Sequence, residues 1–302
     1  MFQVFKSLNN TSGVGYLQFL PDGKLISASK YDSQVSLWDL TFTPKEKIIF
    51  DNLRSFCVAY GRNSNTLAIA DKSDIFLINL SGWVTKRVNS QHLFTSAIAF
   101  SADGSMFATG HCDGKAIIWD LHGRILRVIE NPKIDMVNAI CFSPDDTKLA
   151  IGSEDGTLIV VDANTSVRTC TKIYHCNREG RSIKTISFSP SGTKLAVAGE
   201  DGLVKLFSVE ETHCEKNYNS HTRSINAIAF SHDGRFIASG GDDTLVNIFY
   251  ANQIGLVNVL NFDHPVDAIA FSLDDQQIAC GLSNGDILIC KEIYDRKTKI
   301  VY

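Results

Sequence analysis

One nine-residue segment recurs along this chain: SAIAFSADG at 96–104, NAICFSPDD at 138–146, KTISFSPSG at 184–192, NAIAFSHDG at 226–234 and DAIAFSLDD at 267–275. Weaker copies are GYLQFLPDG at 15–23 and FCVAYGRNS at 56–64. Their aromatic anchors are Phe19, Tyr60, Phe100, Phe142, Phe188, Phe230 and Phe271, at successive separations of 41, 40, 42, 46, 42 and 41 residues. A repeat of this length is one supersecondary unit, and the stacking of such units buries a continuous core. Seven units occupy nearly all 302 residues, so 1–302 reads as a single domain.

Within each unit a short apolar run ends at the anchor and an Asp-Gly-like turn follows. In the fourth unit TKLAIGS (147–153), the turn Glu154-Asp155-Gly156 and TLIVVDA (157–163) come next. Short β-type runs joined by tight turns describe an antiparallel meander. A more polar run closes each unit, as in KEKIIF (45–50), RILRVIE (124–130) and LVNVLNF (256–262), and suits an outer edge strand. Four strands in about 43 residues are one blade of a seven-bladed, all-β propeller. In the first run of the third unit, Ala97 and Ala99 alternate with Ile98 and Phe100. Successive side chains point to opposite faces, so one face is flat and the other knobbed, ready to stack blade on blade.

The chain resembles the WD-repeat β-propellers, named for a Trp-Asp pair ending the third strand. The pair is intact in VSLWDL (35–40) and AIIWDL (116–121) and is replaced in the other units. The resemblance covers roughly residues 2–293. It implies a structural tetrad of His, Ser or Thr, Asp and Trp in each blade. The sixth unit matches with His221, Ser239 and Asp243, but Phe249 stands in place of Trp. The third offers His92, Thr109, Asp113 and Trp119, and the first offers Asp32 and Trp38. Asp155, Asp201 and Asn284 stand at the turns of other units, so less uniform and weaker pinning is expected.

His221, Ser239 and Asp243 also look like a nucleophile–base–acid set. Their plain reading is mutual satisfaction of buried polar groups, which buried groups require. Cys170 to Cys176, with His175 between them and His213 and Cys214 beyond, lacks the paired short spacing of a zinc site. No phosphate-binding GxxxxGKS/T, GxGxxG opening a helix, or HExxH occurs. The reading is therefore a non-enzyme without catalytic residues, metal or cofactor. With 29 basic against 33 acidic residues the net charge is −4, which argues against nucleic acid as a direct ligand. No apolar run approaches the roughly 20 residues of a membrane span. The N-terminal MFQVFKSLNN has no signal-peptide pattern, so an intracellular protein, cytoplasmic or nuclear, is expected.

Function is then expected on surfaces, as a scaffold or complex subunit binding other proteins or peptides. In the family resembled, the loop before each first strand and the second-to-third turn share the top face. That places Gly13, Arg54, Phe94, Met136, Ser182, Ser224 and Pro265 there, with Tyr31, Cys112, Glu154, Glu200, Asp242 and Ser283. Tyr31, Arg54, His92, Phe94 and Met136 form an aromatic, Met and Arg group of the kind enriched at interface centres. Glu154, Glu200 and Asp242 stand with Arg178, Arg181 and Arg223, and HCNREGRS (175–182) reads as a projecting basic loop. An alternative is a reader of modified peptides or RNA at the channel mouth, through Tyr31, Phe94 and Glu154. Two segments could close the last blade: FQVFKSL (2–8), which is favoured, or TKIVY (298–302). The sequence leaves the oligomeric state open.

Overall fold

The structure is a computed structural model. It describes residues 2–10, 12–31, 34–40, 45–50, 55–81, 84–90, 94–130, 135–164, 172–175, 180–211, 214–219, 221–253 and 255–292. These form seven four-stranded antiparallel sheets, the blades of a β-propeller. Strands are the only regular elements among the described residues, and no helix there is long and apolar enough to cross a membrane. The innermost strands are Val14–Phe19, Ser55–Gly61, Thr95–Phe100, Val137–Phe142, Ile183–Phe188, Ile225–Phe230 and Val266–Phe271. Each ends at or beside the aromatic anchor of its repeat.

Six blades are built from consecutive strands, while the seventh takes its outer strand from the other end of the chain. Phe2–Asn9 pairs antiparallel with Asp286–Glu292, from Phe2 opposite Glu292 to Asn9 opposite Asp286. The N-terminal closure expected from the sequence is the one observed. The rival segment TKIVY lies outside the described residues.

The core lies between blades, where small residues meet large ones. Ala97, Ala108 and Ala116 of the third blade pack against Ile140, Phe142, Leu149 and Ile151 of the fourth. A side chain on Gly110 would collide with Val137 of that neighbour, and one on Gly281 with Val14. Glycine there is a condition of close approach between sheets.

A second set of inter-blade ties runs along the outer rim. Lys6 Nζ donates to Leu40 O at 2.9 Å, Lys86 Nζ to His122 O at 2.7 Å and Lys216 Nζ to Asn252 O at 2.8 Å. Arg127 likewise donates to Asp162 O. In each case a basic residue on an outer strand reaches a main-chain carbonyl of the next blade. Composition gives no hint of these ties, because their acceptors are backbone atoms.

The first turn of each repeat carries its own hydrogen bonds. Ser101, Ser143 and Ser272 donate Oγ–H to Asp103, Asp145 and Asp274 at 2.7, 2.5 and 2.6 Å. Where the first, third, fifth and sixth repeats have Gly23, Gly104, Gly192 and Gly234, the fourth and seventh have Asp146 and Asp275 at φ 58° and 56°. Asp146 accepts the Ala102 and Asp103 amides, and Asp275 accepts those of His232 and Asp233. The turn therefore joins neighbouring blades while tolerating left-handed backbone, which Asp does better than most residues.

These bonds predict a pH response. The Ser143 and Ser272 hydroxyls are the main groups holding Asp145 and Asp274 below the usual carboxylate range, and the Ser105 amide leads for Asp103. A carboxylate depressed in the folded state adds stability above its unfolded pKa and loses it as pH falls through the folded one. Urea-unfolding midpoints are expected to hold above about pH 5 and to drop below roughly pH 4. Asp145→Asn should show a smaller acid-induced drop than the wild type. Equal drops would show that this turn does not contribute.

Candidate functional site

The top face is organised by one repeated backbone bond. Cys112 N donates to Phe94 O, Glu154 N to Met136 O, Glu200 N to Ser182 O, Asp242 N to Ser224 O and Ser283 N to Pro265 O. Each bond ties the residue after a second strand to the residue before the first strand of the same blade. Lys30 N does the same with Gly13 O in the first blade. The structure thus brings together the two groups of loops expected at the top.

Among the expected contact residues, Tyr31 is 69% exposed and Phe94 is 36% exposed, while Met136 is half-buried. The ammonium of Lys30 lies 5.8 Å from the Tyr31 ring centre, within cation–π reach. Glu154, Arg181, Glu200 and Arg223 are exposed and Asp242 is half-buried. Arg54, His92 and Asp32 lie outside the described residues, as do Arg178, Cys170, Cys176 and His213. Residues 176–179 of the basic loop 175–182 lie outside them too.

Around the upper channel, polar side chains pass from blade to blade. Ser96 donates to Val137 O, Asn138 to Ser182 Oγ at 2.9 Å and Lys184 to Asn226 Oδ1 at 3.2 Å. Asn226 donates to Asp242 Oδ1 at 2.7 Å and Asp267 Oδ1 at 3.2 Å, and Lys30 reaches Asp267 Oδ1 at 3.1 Å. Burial raises the Asp267 pKa from its ordinary value, although the Lys30 charge opposes the shift. The cavity in the channel measures about 590 Å³, and Lys30, Ser96, Asn138, Lys184, Asn226 and Asp267 are among the residues lining it. Tyr31, Phe94 and Glu154 are not among those lining residues.

Beneath this face the tetrad positions are filled unevenly. In blade six His221 Nδ1 sits 2.9 Å from Asp243 Oδ1, and its Nε2 sits 2.8 Å from Ser239 Oγ. Phe249 offers no N–H to Ser239, and Asn247 Nδ2 lies 3.1 Å from the same His221 Nε2, bringing an amide donor to the histidine. His221 and Ser239 are buried, so the serine hydroxyl has no access to a substrate. The catalytic look-alike is a packed hydrogen-bond set.

In blade three Trp119 Nε1 donates to Thr109 Oγ1 at 2.9 Å, and the histidine bonded to that hydroxyl is His111, at 2.9 Å. Asp113 accepts from the Lys115 amide within its turn and lies 3.4 Å from the Lys115 ammonium. In blade one Trp38 Nε1 donates to Ser27 Oγ at 2.8 Å. There Gln34 and Ser36 donate to Glu46 Oε1 at 2.7 and 2.6 Å. Blade five pairs Lys205 with Asp201.

Ser36, Lys205 and Asn247 share one feature that sequence reasoning missed. Each stands on a third strand directly opposite the tetrad's Ser/Thr position: Ser27, Val197 and Ser239. Pinning is non-uniform, as expected. In these blades, though, a polar residue on the facing strand contributes to it.

Residues 54–259 match the family described as nucleolar protein 10-like, N-terminal domain. Residues 3–39 match the WD domain, G-beta repeat, a unit that begins in the closing strand and ends at the Trp38-Asp39 pair. The crystal structure of the WD40 β-propeller domain of Doa1 is similar, with a TM-score of 0.85 at 17% identity, over 97% of this chain and 98% of that one. At that identity the likeness speaks for the fold. No curated protein matches the sequence. The family match covers more than half of the chain, and the blades, anchors and Trp-Asp pairs agree with it: the chain belongs to the WD-repeat β-propellers, in the nucleolar protein 10-like N-terminal-domain family.

Proposed function

We propose that this propeller is a non-catalytic interaction platform, a scaffold or subunit of an intracellular complex that holds partner proteins or peptides mainly on its top face. The observation that carries this reading is the exposure of Tyr31 and Phe94 on loops whose shape is already set by backbone bonds. Aromatic side chains on loops with a fixed backbone bring large contact area, and only their own rotamers remain to be ordered when a partner arrives. The acidic and basic residues of blades four to six, Glu154, Glu200, Asp242, Arg181 and Arg223, supply orientation and rate more than affinity. The name of the matched family favours the nucleus, and within it the nucleolus, as the compartment.

Affinity purification from the native source supplies the partner. Phe94→Ala combined with Met136→Ala is then expected to weaken binding at least tenfold, about 1.4 kcal/mol. Isothermal titration would measure it, and unchanged affinity would place the contact elsewhere. Replacing Arg181 and Arg223 with Glu should slow association and flatten its dependence on salt. Stopped-flow rates at two ionic strengths test that.

A further inference from the structure

The sequence holds a single Asn-Gly pair, Asn284-Gly285, and it stands in the turn between strands Gln277–Leu282 and Asp286–Glu292 of blade seven. Blades three to five have aspartate at that place. Asp113, Asp155 and Asp201 are each followed by glycine and then by Lys115, Thr157 or Leu203. In blade seven the residue after the glycine is Asp286. Asn284 Nδ2 donates to Asp286 Oδ2 at 2.7 Å, and the Asp286 amide donates to Asn284 Oδ1 at 3.1 Å. An aspartate at 284 would set two carboxylates against each other, so the amide is the form that suits this turn. The same residues hold the closing strand. Asn9 Nδ2 donates to Asp286 Oδ1 at 2.9 Å, and Asn10 N donates to Gly285 O at 2.8 Å.

We propose that Asn284 is a deamidation site and that its conversion loosens the closure of the ring. The Asn284 side chain is exposed, so water and hydroxide reach it. Gly285 stands at φ 98° and has no side chain to screen its nitrogen. Its N–H donates to Leu282 O at 3.1 Å, and that bond opens first. Hydroxide takes the Gly285 amide proton, and the nitrogen attacks Cγ of Asn284. Negative charge collects on Oδ1 in that step, where the Asp286 amide already points, and a donor so placed lowers the barrier. The Cγ–Nδ2 bond then breaks, and ammonia leaves with a proton from water to give a five-membered imide. Water opens the imide at either carbonyl, to aspartate or to isoaspartate. Both products place a carboxylate beside Asp286, where an amide had donated to it. Isoaspartate also adds a methylene to the main chain next to the bond between Gly285 O and Asn10 N. The fit there has no slack, because a side chain on Gly285 would come within 2.6 Å of Asn10 O.

Ageing the full chain in mildly alkaline buffer tests the proposal. Peptide mapping by mass spectrometry is expected to find the mass gain of amide-to-acid exchange at residue 284 ahead of any other asparagine. Isoaspartyl methyltransferase is expected to label the same peptide, and the urea midpoint of the aged chain is expected to fall. Asn284→Asp supplies the charge without the methylene. Its midpoint is expected below the wild-type value at neutral pH and level with it below roughly pH 4, where the carboxyls take up protons. Adding Asp286→Asn to that variant is expected to recover the neutral-pH midpoint, and Asn284→Ser is expected to age without a fall. A folded chain that keeps its amide at 284 while the free peptide LSNGDIL converts overturns the proposal. So does a converted chain that unfolds at the midpoint of the fresh one, or an Asn284→Ser chain that loses stability as fast as the wild type.

Discussion

Removal of residues 1–9 is expected to abolish the cooperative unfolding transition. The deleted strand supplies the fourth strand of blade seven and pairs along Asp286–Glu292. It also contributes buried Leu8 and covers Ile287 and Ile289, which pack with Leu17, Phe19 and Trp38 of blade one. Exposing three such aliphatic side chains costs roughly 5 kcal/mol, a large part of the 5–15 kcal/mol by which most proteins are stable. The loss falls at the seam where blade seven meets blade one, so it opens the ring. A broad, low-amplitude thermal melt by circular dichroism is the expected result. A truncated chain that melts sharply at the full-length temperature would show that blade seven closes without the strand. Val4→Ala is the control: its side chain is exposed, so a shift of no more than about 0.5 kcal/mol is expected.

The second large effect is expected at Asp243. Asp243→Ala leaves the His221 Nδ1–H without its carboxylate inside a buried set that also holds Ser239 and Asn247. Stranding one member of such a set costs about 3 kcal/mol, a fall in Tm of about 5 °C or more for a chain of this size. Asp155 stands at the same turn of blade four, where its Oδ1 accepts the Thr157 amide at 2.8 Å. Asp155→Ala should cost about 1 kcal/mol, the price of a lost turn bond. Calorimetry on the two variants separates these roles. Equal shifts would mean that the histidine network adds nothing to the turn.

The fold was legible because the repeat is both a spacing and a physical pattern. Phe19 to Phe271 mark the inner strands, and the alternation of Ala97 and Ala99 with Ile98 and Phe100 is the stacking of blades written in one dimension. The N-terminal closing strand could also be read, from an unpaired run at the right end of the chain. Asn247, Lys205 and Ser36 were not visible in the same way. Their meaning lies in which residue faces them on the neighbouring strand, and register is a property of the folded sheet. His111 was hidden for a related reason. It sits at the end of a second strand, two residues beyond Thr109, whereas the family pattern looks for histidine before the first strand. The rim ties from Lys6, Lys86, Arg127 and Lys216 end on carbonyl groups, and a carbonyl is the same in every residue. The top face was legible in position, since Phe94 and Met136 head inner strands, but exposure had to come from the structure.

The closing strand also sets the order in which the molecule can be completed. Asn9 and Asp286 are 277 residues apart in sequence, so during synthesis Phe2–Asn9 must wait for its ladder partners. Blades one to six are made of local hairpins and can form as they emerge, whereas the seam is a contact between residues far apart in sequence. Contacts of this kind form late, because the entropy of closing a long loop is lost before they return any stability. Until that moment the growing ring has an unfinished seam on either side, with Ile287 and Ile289 among the last apolar groups to be covered. The propeller is thus most vulnerable to proteolysis and misassembly just before its final strand pair forms.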